Sequence, residues 1–232
     1  MLEVSDISFA YLKRNILCGV TFSAAPSEPI AVLGANGAGK TTLLKVLSGL
    51  ALPTKGKVCL DGRDIIDNGL RYRKQLGYMP EKIMLADDMK VREYLVYRAV
   101  LKGESTRRAS RRVEDVLKLC SLGDYSRTYI SELSLGQKKM VAIADAILLK
   151  PRVLVLDDVY SGLDMASRKL VTGILSACAK NSMIVVSGHE VEDLARWVKR
   201  FLVLENGVVA KEVAASGESG VSALEVRKIL QG

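Results

Sequence analysis

Gly34-Ala35-Asn36-Gly37-Ala38-Gly39-Lys40-Thr41-Thr42 follows the apolar run Ile30-Ala31-Val32-Leu33 and precedes Leu43, Leu44, Val46 and Leu47 at helical spacing. Strand, glycine-rich turn and helix is the context a phosphate-binding loop requires. The glycines let the backbone turn successive N–H groups toward an anion. The dipole of a helix beginning near Lys40 adds its positive end to the same place. Lys40 supplies a mobile point charge for terminal phosphates, and the Thr41 hydroxyl is placed to ligate magnesium. The stretch reads as a nucleoside triphosphate site.

Before this loop, Leu2-Glu3-Val4, Ile7-Ser8-Phe9 and Val20-Thr21-Phe22 read as short strands of a half-buried sheet, with Asn15 and Gly19 at turns between them. Tyr11, next to the charged Lys13-Arg14-Asn15, reads on its own as a sheet-edge packing residue. After the loop, the helix is expected to end near Gly49, with Pro53 beyond it, and Gly56–Leu60 with Asp61-Gly62 reads as a hairpin.

From about residue 82 to 150 the pattern becomes helical. Ala109, Val113, Val116, Leu117 and Cys120 fall on one helix face, with the arginines opposite. Ser134 is suited to cap a long helix carrying Met140, Ala144, Ile147 and Leu148; capping is the default role of such a serine, and the free N–H groups behind it offer a second anion site as the alternative. Val153-Leu154-Val155-Leu156 is a buried strand that delivers Asp157 and Asp158 at its carboxyl end. After a phosphate loop, an apolar strand ending in Asp is the expected partner of the magnesium water shell. A helix over 166–179 and the strand Met183–Ser187 follow, then His189, the single histidine. Phe201–Leu204, the turn Glu205-Asn206-Gly207 and a final helix around 221–230 complete the chain. The fold class is α/β: a P-loop NTPase core with an N-terminal antiparallel β-subdomain, and an α-helical subdomain at approximately 82–150 inserted in one domain spanning 1–232.

Composition bounds the rest. Apolar residues make up 49% of the chain and mean hydropathy is +0.17, as in a well-buried globular protein. No apolar run approaches the ~18 residues that suggest a membrane span, and the N-terminus lacks the pattern of a secretory signal. These features lead to the expectation of a soluble, intracellular protein. Cys18, Cys59, Cys120 and Cys178 have no paired spacing, which points to reduced thiols rather than a zinc or disulfide framework. Part of the net charge of +8 lies in Arg107-Arg108 and Arg111-Arg112, a solvated helix face. No aromatic residues are interleaved there, which argues against nucleic acid as a partner.

Taken in order, these residues resemble the nucleotide-binding subunits of ABC transporters over nearly the whole chain. Gly34 to Thr42 is similar to the Walker A loop, including Gly34, Asn36, Gly37, Ala38, Gly39, Lys40, Thr41 and Thr42. Leu133-Ser134-Leu135-Gly136-Gln137 resembles the LSGGQ signature, Asp157 the Walker B aspartate, Ser161-Gly162-Leu163-Asp164 the D-loop and His189 the switch histidine. Tyr11 falls where the family places an aromatic on adenine, and Gly77-Tyr78-Met79-Pro80-Glu81 where the Q-loop belongs.

The resemblance implies ATP and Mg2+ as ligands, with Thr41, Asp157 and Glu81 around the metal and Asp158, His189 and Glu81 in the catalytic set. It also implies a head-to-tail dimer, homomeric or heteromeric, in which Ser134, Gly136 and Gln137 act across the interface, and it makes Asp164 the D-loop aspartate. Integral-membrane permease subunits would then meet the helical subdomain, with the chain peripheral on the cytoplasmic face of the membrane.

Three departures qualify the resemblance. Position 158 is Asp where the family has Glu, which withdraws the carboxylate by about 1.5 Å. Glu81 replaces the Q-loop Gln, and Leu135 replaces the second signature residue. A displacement of about 1 Å can cost on the order of a hundredfold in rate, so slow hydrolysis is expected. Val159-Tyr160 in place of Pro-Thr leaves open a backbone adjustment that restores the reach. Glu81 and the absence of a C-terminal regulatory extension lean toward an exporter-type transport ATPase. The alternatives are a soluble ABC ATPase acting on a protein assembly, as in iron–sulphur assembly, and a slow ATP-dependent switch.

Overall fold

The computed structural model describes residues 1–12 and 14–214. Its first two strands, β1 (Leu2–Tyr11) and β2 (Arg14–Ala24), pair antiparallel along their full length. Sequence reading expects three shorter strands with turns at Asn15 and Gly19. Instead Asn15 pairs with Ala10, and Gly19 sits inside β2 at φ +69°, its N–H donating to Ser8 Oγ. The register shifts between Ile7 and Phe9, so Gly19 marks a bulge and not a chain reversal. The chain reverses between the paired Tyr11 and Arg14, with Leu12 at φ +54°.

The phosphate-loop unit follows as β3 (Ile30–Leu33) and α1 (Lys40–Leu47), with Gly49 at φ +69° just past the helix end. β4 (Lys55–Leu60) and β5 (Arg63–Asp64) form the expected hairpin. Asp61 and Gly62 both have positive φ, as a two-residue turn of this hand demands.

Two elements carry no pattern in the sequence. α2 (Gly69–Gln75) buries only Tyr72, whose hydroxyl donates to the Leu47 carbonyl at 2.5 Å. β6 (Leu76–Met79) contains Gly77, where a Cβ would lie 2.1 Å from the Ala146 carbonyl oxygen. Close packing on the helix that carries Ala146 therefore requires a residue that weakens the strand signal.

α3 (Val91–Leu101), α4 (Thr106–Leu119) and α5 (Leu135–Ile147) fill the helical stretch. On α4 the buried residues are Ala109, Val113, Val116 and Leu117, as the periodicity predicts, and Cys120 is buried just beyond. The chain then alternates through β7 (Val153–Leu156), α6 (Met165–Ala179), β8 (Met183–Ser187), α7 (Val191–Ala195), β9 (Arg200–Glu205) and β10 (Val208–Ala214). The helix expected at 221–230 lies outside the described residues.

The strands form an antiparallel sheet, β2-β1-β4-β5, and a mixed sheet, β10-β9-β3-β8-β7-β6, parallel except for β10. Ile30, Val32, Val153, Val155, Met183 and Val185 face α1 and the antiparallel sheet. Ala31, Leu33, Leu154, Leu156, Ile184 and Val186 face the helices. Burial on both faces explains why these strands read as continuous apolar runs. It also fixes where chemistry sits. The loops after β3, β6, β7 and β8 all leave the carboxyl ends of parallel strands and meet along one edge of the sheet.

Candidate functional site

At that edge a cleft of about 410 Å³ is lined by Asn36, Gly37, Gly39, Lys40, Thr41, Thr42, Glu81, Asp157, Asp158 and His189, joined by Arg14, Ile16, Ser187 and Gly188. Gly39 holds φ +107°, and a Cβ there would meet Leu17 Cδ2 at 2.9 Å and the Ile16 carbonyl at 3.0 Å. Gly34 holds φ +145°, and a Cβ there would lie 2.3 Å from the Leu204 carbonyl oxygen. Gly34 is thus needed to pass the loop against β9. Its contribution to the cleft is its carbonyl, which accepts from Lys40 Nζ at 2.7 Å; the Ala35 carbonyl accepts at 3.0 Å. Ala38 is buried and outside the cleft lining, and its N–H donates to the Ala35 carbonyl.

Opposite the loop, three carboxylates converge. Thr41 Oγ1 donates to Glu81 Oε2 at 3.3 Å. Asp157 accepts from Ser187 Oγ, while its own N–H donates to the Met79 carbonyl and ties β7 to the end of β6. Burial pushes the Asp157 carboxyl up from the usual carboxylate range, opposed by its hydrogen bond from Ser187 and by the nearby Thr41 hydroxyl. Burial likewise pushes the Lys40 ammonium down, opposed by Asp157, Asp158 and Glu81.

Asp158 stands at φ +52°, in the left-handed region that non-glycine residues rarely occupy. Its N–H donates to Ser187 Oγ at 2.8 Å, and its carbonyl accepts from Lys139 Nζ. Behind it Val159 and Tyr160 are both fully buried. The Tyr160 hydroxyl lies 2.7 Å from Thr172 Oγ1 and accepts from Trp197 Nε1 at 2.9 Å; burial pushes this phenol up to about 12. Tyr160→Phe leaves the buried indole N–H without an acceptor and is expected to cost about 1–3 kcal/mol, read as a lower urea midpoint at unchanged slope.

The remaining sequence candidates lie outside this cleft. Tyr11, at the end of β1, is 51% exposed and meets Phe9 edge-on at 4.8 Å between ring centroids. Ser134 caps α5 in a reciprocal capping box: its Oγ accepts from the Gln137 N–H at 3.3 Å, and Gln137 Oε1 accepts from the Ser134 N–H at 2.8 Å. Asp164 caps α6 by accepting from the Ser167 N–H at 2.7 Å, a bond that holds its carboxyl below the usual range. Ser134 and Asp164 are both exposed. Gly136 lies close to the D-loop: a Cβ on it would sit 3.5 Å from the Gly162 carbonyl oxygen.

Sequence reasoning missed Arg14, Ile16, Ser187 and Gly188 in the cleft lining, and Lys139 behind Asp158. Ser187 was detectable as the last residue of an apolar strand. Arg14 and Ile16 were not, because the pairing of β2 with β1 brings them to the cleft.

The oxygen donors fit a magnesium ion accompanied by phosphates. Asp157 Oδ2 is buried without a hydrogen-bond partner among the described residues, beside the Thr41 hydroxyl and Glu81. Among those residues no cluster of three or more His, Cys, Asp or Glu is arranged to hold a metal unaided. Magnesium suits such a site, since it is commonly held by one or two carboxylates plus substrate phosphates.

Comparison with known proteins agrees with this geometry. The ABC transporter family model matches residues 17–161. The chain is 34% identical over 220 residues to the cobalt import ATP-binding protein CbiO of Syntrophus aciditrophicus, covering 91% of this chain and 78% of that protein. It is 31% identical over 226 residues to the Nod factor export ATP-binding protein I of Paraburkholderia xenovorans, covering 97% and 73%. A solved ATP-binding subunit of an ABC transporter superposes with a TM-score of 0.89 at 30% identity, over 100% of both chains.

Proposed function

Since the chain belongs to the ABC transporter family and is an ATP-binding ATPase of it, we propose that it powers an exporter-type transporter through head-to-tail dimers that close on ATP. The observation that carries this reading is a division of the site. Lys40, Thr41, Glu81, Asp157, Asp158 and His189 share one cleft, whereas Ser134 and Asp164 occupy exposed positions away from it. Beside these, Leu135 and Met165 are 71% and 87% exposed. Apolar side chains flanking an exposed helix N-terminus suit a surface that a second copy covers.

In the proposed mechanism the loop N–H groups, Lys40 and Thr41 hold the phosphates of ATP. Thr41, Asp157 and Glu81 would hold Mg2+, which would supply positive charge to neutralise the phosphates. The helix beginning at Ser134 of the second copy closes on the γ-phosphate. His189, leaving the end of β8, faces the same phosphate, and Asp158 accepts the proton of the attacking water.

The helical subdomain at approximately 82–150 transmits closure to permease subunits, with the chain peripheral on the cytoplasmic face of the membrane. Among the described residues no helix is long and apolar enough to cross a membrane. A groove of about 330 Å³ between the end of α1, α2, β6 and α3 supports that contact. It combines the exposed Leu50, Leu70 and Leu101 with Arg73, Lys74 and Lys102. That chemistry suits an apolar segment carrying acidic residues.

Sedimentation of Asp158→Asn with ATP tests the reading. A shift from monomer to dimer on adding ATP, lost in Ser134→Arg, is expected. A monomer at saturating ATP would rule out the head-to-tail site. Co-purification with a multi-span membrane protein is expected for a transport subunit and not for an ATPase of soluble assemblies.

A further inference from the structure

Lys139 lies one turn into α5, between Ser134 and the run Met140–Ile147, and is only 5% exposed. A buried ammonium is costly, and burial pushes this one down from the usual lysine range despite Asp158, Glu190 and Asp157 nearby. Its direct partners are not carboxylates. Nζ donates to the backbone carbonyls of Asp158 and, at 2.7 Å, of Ser161. The stretch it grips is the one that begins with the left-handed Asp158. From the other side, Ser187 accepts from the N–H groups of Asp158 and Val159, at 2.8 and 3.3 Å. The Asp158 peptides are therefore held between the end of β8 and the signature helix.

We propose that Lys139 is a positioning residue for hydrolysis: by holding the Asp158 and Ser161 carbonyls it fixes the strained turn that aims the Asp158 carboxylate, and ties that aim to the helix beginning at Ser134. The proposal rests on the reading of Asp158 as the group that accepts the water proton. A side chain that only filled space or capped a loop would affect folding and ATP affinity. One that sets the aim of Asp158 affects the chemical step through Asp158 alone.

The experiment measures kcat, KM, ATP affinity and thermal melting for Lys139→Met and Lys139→Arg, each in the wild-type and Asp158→Asn backgrounds, with single-turnover assays for the slow variants. Lys139→Met is expected to lower kcat about tenfold with KM and ATP affinity unchanged. Lys139→Arg, which keeps the charge and the donors, is expected to retain most of kcat. In the Asp158→Asn background Lys139→Met is expected to cause no further loss.

An unchanged kcat in Lys139→Met, or an equal loss in both backgrounds, would overturn the proposal while leaving Asp158 in its role. Asp158→Asn hydrolysing at the wild-type rate would overturn the reading of Asp158, and the proposal with it. Should the methionine variant fail to fold, Lys139→Gln serves in its place, because its polar head is too short to bridge both carbonyls.

Discussion

Asp158→Glu is expected to raise kcat for ATP hydrolysis by about a hundredfold while ATP affinity stays unchanged. The added methylene carries the carboxylate about 1.5 Å further into the cleft. The backbone at Asp158 is restrained against further movement into the cleft. Ser187 Oγ holds the Asp158 N–H, Lys139 holds its carbonyl, and Val159 and Tyr160 are fully buried behind it. The backbone adjustment that Val159-Tyr160 left open in the sequence thus meets a chain clamped on both sides. Side-chain length remains as the determinant of reach. Both carboxylates face the same left-handed backbone, so melting temperature is expected to change little. A kcat equal to the wild-type value would show that aspartate already reaches the water, and slow hydrolysis would lose its basis.

Lys40→Ala is expected to weaken ATP binding on the order of a hundredfold or more and to abolish hydrolysis, since charge-assisted hydrogen bonds contribute about 1.5–3 kcal/mol each. The ammonium reaches the Gly34 and Ala35 carbonyls across the mouth of its own loop, so it already lies within the phosphate cradle. It also stands among Asp157, Asp158 and Glu81, whose combined negative charge opposes an anionic ligand once the lysine is removed. Displacement of a fluorescent ATP analogue reads the affinity, and circular dichroism checks that the fold persists. Affinity within a few-fold of the wild type would remove Lys40 from the phosphate site.

The phosphate loop, β7 with its two aspartates, β8 and the amphipathic α4 were legible because each is specified by neighbouring residues. Gly34, Gly37 and Gly39 all hold positive φ, a demand the loop makes within its own nine residues. The burial of Val153–Leu156 is written in four consecutive apolar side chains. Elements set by contacts distant in sequence were not legible. Gly19 looks like a turn and becomes a bulge because β1 continues opposite it. β6 is masked by Gly77, whose lack of a side chain matters only once Ala146 packs above it. Arg14 and Ile16 reach the cleft through strand pairing, which the sequence leaves open. Lys139 left one unread signal: it opens a stretch of α5 in which every residue from 139 to 147 is buried. A lysine in such a stretch needs a partner, and two backbone carbonyls leave no trace in a motif.

In the proposed arrangement a working site needs two subunits, one supplying the cleft and the other the Ser134 helix. Phosphate release from Mg-ATP, measured across a range of protein concentrations with Lys40→Ala as the blank, tests it most directly. Turnover per protomer is expected to rise with concentration and to level off as dimers saturate. Turnover above the blank that stays constant per protomer from the lowest concentration upward, with the protein sedimenting as a monomer, would contradict it.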